Sequence, residues 1–321
     1  VRTNTITAGG NLTVGTMVRT ATVTFDGAAQ AANITVDASG TATTQALRAG
    51  TGTIDIEAGD IAFAAGPVEA GSVILKSFDN RSVGLGSATG DVNLTDAELA
   101  LIRADSLLID AGTGSVGIAG VTFGADAGRA AVAVATTGRM TISGNFTATA
   151  GTRTVRLGGA ADGTGLASRI TSDVNAAAIN LGTNTLELRG TAIAFGEQSL
   201  IDRVEPLSIA ELVRQFIAAP QEQLYNPLGP ITNPVYLTAG NVTVTYGGSA
   251  LFQNTAARAS GNAFQGVVLS GGNSAAPALT LNPTASPSSG SAGTNAFALF
   301  GTINGFEGPA ASSAGGSVIG F

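Results

Sequence analysis

The chain contains no cysteine, no histidine, no tryptophan and a single lysine, Lys76, in 321 residues. Without cysteine there is no thiol nucleophile, disulfide, iron–sulfur cluster or thiolate zinc site. Without histidine the commonest general base and metal ligand is missing. Aromatic residues are 5% of the chain, which leaves little for stacking on sugars or bases. Charged residues are 12%, against about 25% in an average protein. The net charge is −7 and no basic run occurs, which argues against nucleic-acid binding and against docking on anionic lipid. No apolar run approaches the roughly 18 residues of a membrane-spanning helix, and no signal peptide is visible. The chain starts at Val1, as expected of a processed chain or of a piece of a longer one.

Glycine, at 45 residues, and small polar residues are abundant, and between them one short unit recurs. It is a polar residue followed by apolar, polar, apolar, then a turn residue. Asn11-Leu12-Thr13-Val14, Asn33-Ile34-Thr35-Val36, Thr53-Ile54-Asp55-Ile56, Thr154-Val155-Arg156-Leu157 and Thr185-Leu186-Glu187-Leu188 are examples. Each unit predicts a short strand with two inward side chains. Further inward pairs are Val23/Phe25, Ile61/Phe63, Val73/Leu75, Val83/Leu85, Val92/Leu94, Leu107/Ile109, Val116/Ile118, Val132/Val134, Met140/Ile142 and Ile193/Phe195. Such strands cannot bury an apolar face alone, but a stack of them can. Spacings of about 7 to 12 residues leave no room for a crossover helix. They fit strand–turn–strand steps, two or three per coil, with the right-handed sense usual for parallel connections. Period-two alternation is retained because a solenoid sheet has one face inside and one in water. An antiparallel sandwich would need Asn-Gly or Asp-Gly hairpin turns, and these are scarce.

Two helix starts interrupt the repeat. Thr95-Asp96-Ala97-Glu98 reads as a capping box with Leu94 and Leu99 as its staple, continuing through Ile102 and Arg103. Ser208-Ile209-Ala210-Glu211 is a second capping box. It opens an amphipathic helix whose apolar stripe is Ile209, Leu212, Val213, Phe216 and Ile217, with Leu207 as staple. Pro220 stops it, and Pro227, Pro230 and Pro234 follow. Leu207, Ile209, Leu212, Val213, Phe216 and Ile217 are the candidates for a cap or an assembly contact, because open solenoid ends carry unpaired backbone groups. Strand signals return at 241–246, 250–252, 267–269 and 278–281, and 282–296 is of low complexity.

The run Leu94-Thr95-Asp96-Ala97-Glu98-Leu99-Ala100-Leu101-Ile102, followed by Ser106-Leu107-Leu108-Ile109 and Thr113-Gly114-Ser115-Val116-Gly117-Ile118, resembles the repeats of filamentous-haemagglutinin-like exoproteins of bacterial two-partner secretion. The close resemblance spans about residues 91–123 and a looser one most of 1–200. It implies a right-handed parallel β-helix, export across the outer membrane and a role as surface adhesin or shaft. The family's Asn-Pro-Asn-Gly secretion motif has only a partial counterpart at Asn226-Pro227-Leu228-Gly229.

Solenoids can also act on polysaccharides, which requires two converging carboxylates. The candidates are Asp55 with Glu57 and Asp60, or Asp91 with Asp96 and Glu98. Solvated surface charges are the simpler reading, and Glu98 is already used by its capping box. Asn-x-Ser/Thr at Asn11, Asn33, Asn80, Asn93, Asn145 and Asn241 could accept glycans, but its recurrence at one repeat position points to turns. The tract 158–165 echoes a Gly-Asp calcium turn only loosely and reads as a flexible loop.

The sequence therefore predicts an all-β, right-handed parallel β-helix, a β-solenoid with one short amphipathic helix and an irregular, partly β C-terminal third. The boundaries are 1–200 for the solenoid, 201–236 for the helix and proline-rich connection, and 237–321 for further coils. The expected role is non-enzymatic: an extracellular bacterial adhesin shaft or fibre subunit. It would self-associate by end-to-end stacking, contact host or matrix glycan or protein, and require no cofactor or metal. The alternatives are a polysaccharide lyase or hydrolase, or a carrier shaft for a toxin or receptor-binding tip.

Overall fold

The computed structural model describes residues 1–15, 22–172, 178–195, 236–239, 241–252, 267–269, 279–283, 296–299 and 317–318. They form a mostly β, solenoid-like structure with almost no helix. One large sheet and a smaller five-stranded sheet are built from strands that pair in parallel. The predicted helix 208–218 and the proline tract after it lie outside the described residues, and with them all six cap or assembly candidates.

Parallel register turns the repeated unit into columns. On the first face Leu12, Ile34, Ile54, Val73, Leu107, Val132, Val155, Leu186 and Val242 stand in line. Val14, Val36, Ile56, Leu75, Ile109, Val134, Leu157, Leu188 and Val244 form the column beside it. All are buried except Leu12, which is half-buried at the first coil. On the second face Val83, Val116, Met140, Ile170 and Ile193 align, as do Leu85, Ile118, Ile142, Ser172 and Phe195. Fully burying one such aliphatic side chain contributes roughly 1.5–3 kcal/mol, and here each gains a like neighbour above and below. A third face closes the coil with shorter strands: Ala29–Gln30, Leu47–Arg48, then Val68 and Ile102 beside them. Farther along, Val121–Thr122 and Phe146–Thr147 take this place, with Phe123 and Phe146 edge to face at 5.6 Å.

The columns hold although the coils differ in length. Ile34 faces Ile54, twenty residues on, whereas Val73 faces Leu107, thirty-four residues on. The extra length of that coil contains a loop-back. The strand Val83–Gly86 is followed after five residues by Val92–Leu94, which pairs with it in parallel. The later strand lies on the side of Thr53–Phe63, so chain order is locally reversed, and Asn93 N–H donates to Asp60 Oδ1 at 3.1 Å. Parallel neighbours ordinarily need a dozen or more connecting residues. Here the return passes directly over the outer face of Val83–Gly86. A Cβ on Gly84 would lie 2.4 Å from Ala88 O and 2.8 Å from Gly90 N, so only glycine leaves room.

The capping box at Thr95 forms as expected, and its staple residues Leu94 and Leu99 are buried. The helix is shorter than predicted, Asp96–Leu99 alone. Ile102 and Arg103 belong instead to the strand Ile102–Asp110, where pairing of Ile102 with Val68 outweighs helical continuation. Beyond residue 195 the ladder goes on, with Leu186 beside Val242 and Ile193 beside Ala250.

Candidate functional site

The outward side chains also form columns, and these make up the surface available for chemistry. At the starts of the first-face strands stand Asn11, Asn33, Thr53, Ser72 and Ser106. Asn33 Nδ2 donates to Asn11 Oδ1 at 2.8 Å, Asn33 Oδ1 accepts from Thr53 N–H at 2.8 Å, and Ser106 Oγ bonds Ser72 Oγ at 3.0 Å. Asn80 Oδ1 accepts from Thr113 N–H, and Asn93 bonds Gly90 through both its amide atoms. Four of the six Asn-x-Ser/Thr asparagines thus hold corners of the coil, the role of a turn residue.

The candidate carboxylates separate into two environments. Asp37, Glu57, Lys76 and Asp110 succeed one another in register on the first face. Lys76 Nζ bonds Asp55 Oδ2 at 2.8 Å from the neighbouring column. Burial pushes the Glu57 carboxyl above its usual range; Lys76 opposes this, and Asp37, Asp55 and Asp110 add to it. Asp60 lies beyond the corner at Gly59, on the second face, where its carboxylate is taken by Asn93 N–H. Asp55 and Glu57 therefore share a face as predicted, and Asp60 does not join them.

The second candidate set is spent on backbone. Asp91 accepts from Ser82 N–H and Ser82 Oγ, and the Ser82 hydroxyl holds its carboxyl below the usual range. Asp96 Oδ1 accepts from Thr122 N–H at 2.6 Å. Glu98 Oε2 closes the capping box on Thr95, while Oε1 accepts from Phe63 N–H at 3.1 Å. Asp96 and Glu98 tie one coil to the next, while Asp91 closes the loop-back of its own coil onto Ser82. Among the described residues no three acidic side chains are grouped to hold a metal ion. Charge on the third face alternates: Glu69 sits between Arg48 and Arg103 and pairs with both.

Two features carry no sequence signal. Arg153 is 3% exposed, and its guanidinium donates to four carbonyls: Ala150, Ala127, Gly124 and Ala125. Burial lowers its pKa, and among the described residues no carboxylate pairs with it. The second is a cleft of about 450 Å³ between the turn 110–114 and the loop 158–165, lined by Asp110, Thr113, Thr137 and Asp162. That loop, expected to be flexible, is tied by Arg156 Nη2 to Ala161 O at 2.9 Å and by Asp162 to Thr164 at 2.6 and 2.8 Å.

The raised carboxyl of Glu57 gives a sign to its pH dependence. The folded state holds this proton more tightly than the unfolded chain, so stability falls as pH rises from the unfolded pKa through the folded one. Glu57→Gln is expected to stabilise the protein slightly at pH 7, by less than about 0.5 kcal/mol, and to leave it unchanged near pH 3.5. Thermal melts at the two pH values check this; equal effects at both would contradict it.

Against known protein families, curated proteins and solved structures the chain shows no match.

Proposed function

We propose that the chain is the right-handed β-solenoid shaft of an extracellular bacterial surface protein of the filamentous-haemagglutinin-like kind, an adhesin shaft or fibre subunit. The observation that carries this reading is the pair of aliphatic columns kept in parallel register from Leu12 and Val14 to Val242 and Val244. Such a core serves length: nine strands at about 4.8 Å per step span on the order of 40 Å. The side-chain chemistry agrees, since Asp96 and Glu98 are committed to holding coils together and Asp91 to closing the loop-back within one coil. The repeat run at 91–123 contributes the family, the surface location and the handedness.

The same reading includes end-to-end association, in which an edge strand of one parallel stack would pair with another copy. Electron microscopy of purified protein, with fibre diffraction, tests it. The expected result is uniform fibres of this chain alone with a 4.7–4.8 Å repeat along the axis. Short monodisperse particles at every concentration would remove the fibre reading and leave a shaft on a longer chain. Release of reducing or unsaturated ends from polysaccharides would replace the shaft reading by the enzymatic one.

A further inference from the structure

We propose that the stack carries a hinge at the step between the second-face end of strand Thr53–Phe63 and strand Val92–Leu94, where side-chain carboxylates stand in for a backbone ladder. The inference does not rest on the shaft reading, since it concerns the coils within one copy.

The faces of the solenoid are of unequal height here. On the first face one strand, that of Val73, stands between Ile54 and Leu107. On the second face two strands, Val92–Leu94 and Val83–Gly86, stand between Ile61 and Val116. Val83, Leu85, Val92 and Leu94 are all buried, so the additional strand is a layer of core and not a surface flap. Strands lie about 4.8 Å apart and packed sheets about 10 Å, so one unmatched strand tilts the upper coils toward the first face by on the order of 25°.

The bonding changes at the same place. The first face is laddered without interruption, from Ile54 beside Val73 to Val73 beside Leu107. The second-face end of Thr53–Phe63 lies against Val92–Leu94, but the two form no paired ladder. Their backbone donors turn to carboxylates instead. Asn93 N–H donates to Asp60 Oδ1 at 3.1 Å, and Phe63 N–H to Glu98 Oε1 at 3.1 Å. The third face has a matching break. Leu47, Val68 and Ile102 pair in line, whereas Val121–Thr122 opens a separate sheet that runs on to Phe146–Thr147. Thr122 N–H donates to Asp96 Oδ1 at 2.6 Å. The short helix Asp96–Leu99 therefore stands at the corner between the two breaks, with one carboxylate bonded to the coil below and one to the coil above. A carboxylate on a rotatable side chain can follow a donor that moves, while a carbonyl fixed in a strand cannot. Hinges commonly sit at such element ends, beside a continuous element that acts as the fixed leaf. Here the unbroken first face is that leaf, and the second face opens and closes.

Spin labels on introduced cysteines test this, since the chain has no cysteine of its own. Thr24→Cys with Thr141→Cys straddles the step on the second face; Thr13→Cys with Ala133→Cys spans the same coils on the first face, and all four positions point outward. The expected result from pulsed electron resonance is a distance distribution at least about twice as wide for the second-face pair as for the first-face pair. Asp60→Ala, which removes an acceptor, is expected to widen the second-face distribution further and to leave the first-face one unchanged. Asp60→Asn keeps an acceptor oxygen in place and should stay near the parent. Equal widths for the two pairs in the otherwise unaltered chain would overturn the hinge, and that comparison needs no change at Asp60. An Asp60→Ala distribution no wider than the parent's would overturn the carboxylate stitching on which the hinge depends.

Discussion

Arg153→Met is expected to cost about 3–5 kcal/mol in urea unfolding, with the β-sheet circular dichroism of the folded protein retained. The guanidinium lies inside a corner where three successive coils meet. It gathers the carbonyls of Gly124, Ala125 and Ala127 from one coil and Ala150 from its own. Its own N–H is received by Asn184 Oδ1 of the next coil at 3.0 Å, while Asn184 Nδ2 donates to Ala148 O at 2.6 Å. Buried carbonyls without donors cost about 1–3 kcal/mol each, and methionine fills the volume without supplying a donor. Arg153→Lys is expected to recover less than half of the loss, because one ammonium cannot span a fan of carbonyls that a planar fork reaches together. Full recovery by lysine, or a loss below about 1 kcal/mol in the methionine variant, would show that the corner does not depend on this network.

Gly84→Ala is expected to destabilise by about 3 kcal/mol and to open the segment 87–91 to proteolysis. The new methyl would stand 2.4 Å from Ala88 O, inside the return of the chain over Val83–Gly86. That return is held on both sides. Asp91 N–H and Val92 N–H donate to Ser82 O at 3.0 Å each, and Ser87 N–H donates to Ala119 O at 2.7 Å. Lifting the loop to admit a methyl strains several of these bonds together. Gly117→Ala, whose Cβ would meet only the Ala88 methyl at 3.1 Å, is the milder companion and should cost about 1 kcal/mol. A Gly84→Ala protein as stable as the parent, with 87–91 still protected, would mean that the return does not pack on this face.

The inward pairs were legible in the sequence because alternation has a physical cause that acts locally: Ile54 and Ile56, or Leu186 and Leu188, can point inward only if the residue between them points out. The parallel arrangement followed from the same pattern and the short spacings. What the sequence did not disclose depends on contacts distant along the chain. Val83/Leu85 and Val92/Leu94 look like two ordinary consecutive units, and only Gly84 and Gly90, unremarkable among 45 glycines, permit their direct pairing. Ile102 continues a helical spacing from Leu99, yet its partner Val68 lies thirty-four residues earlier. The cleft escaped notice for a similar reason: Asp110 and Asp162 are fifty-two positions apart, and each alone looks like a turn aspartate. Arg153, in a Gly-Thr-Arg-Thr stretch, has nothing near it in sequence to mark it as internal.

The unequal coils have a consequence for how the molecule can be made. Register is enforced by the columns of side chains, as when Val73 meets Leu107 across thirty-four residues and Ile54 meets Val73 across nineteen. Up to residue 195, every paired strand finds its partner in an adjoining turn, so no early segment must wait for a late one. The chain can therefore be wound progressively, each finished turn acting as the template for the next. Growth of this kind tolerates a change of pitch length at any corner, and it lets a long protein become ordered while much of it has yet to arrive.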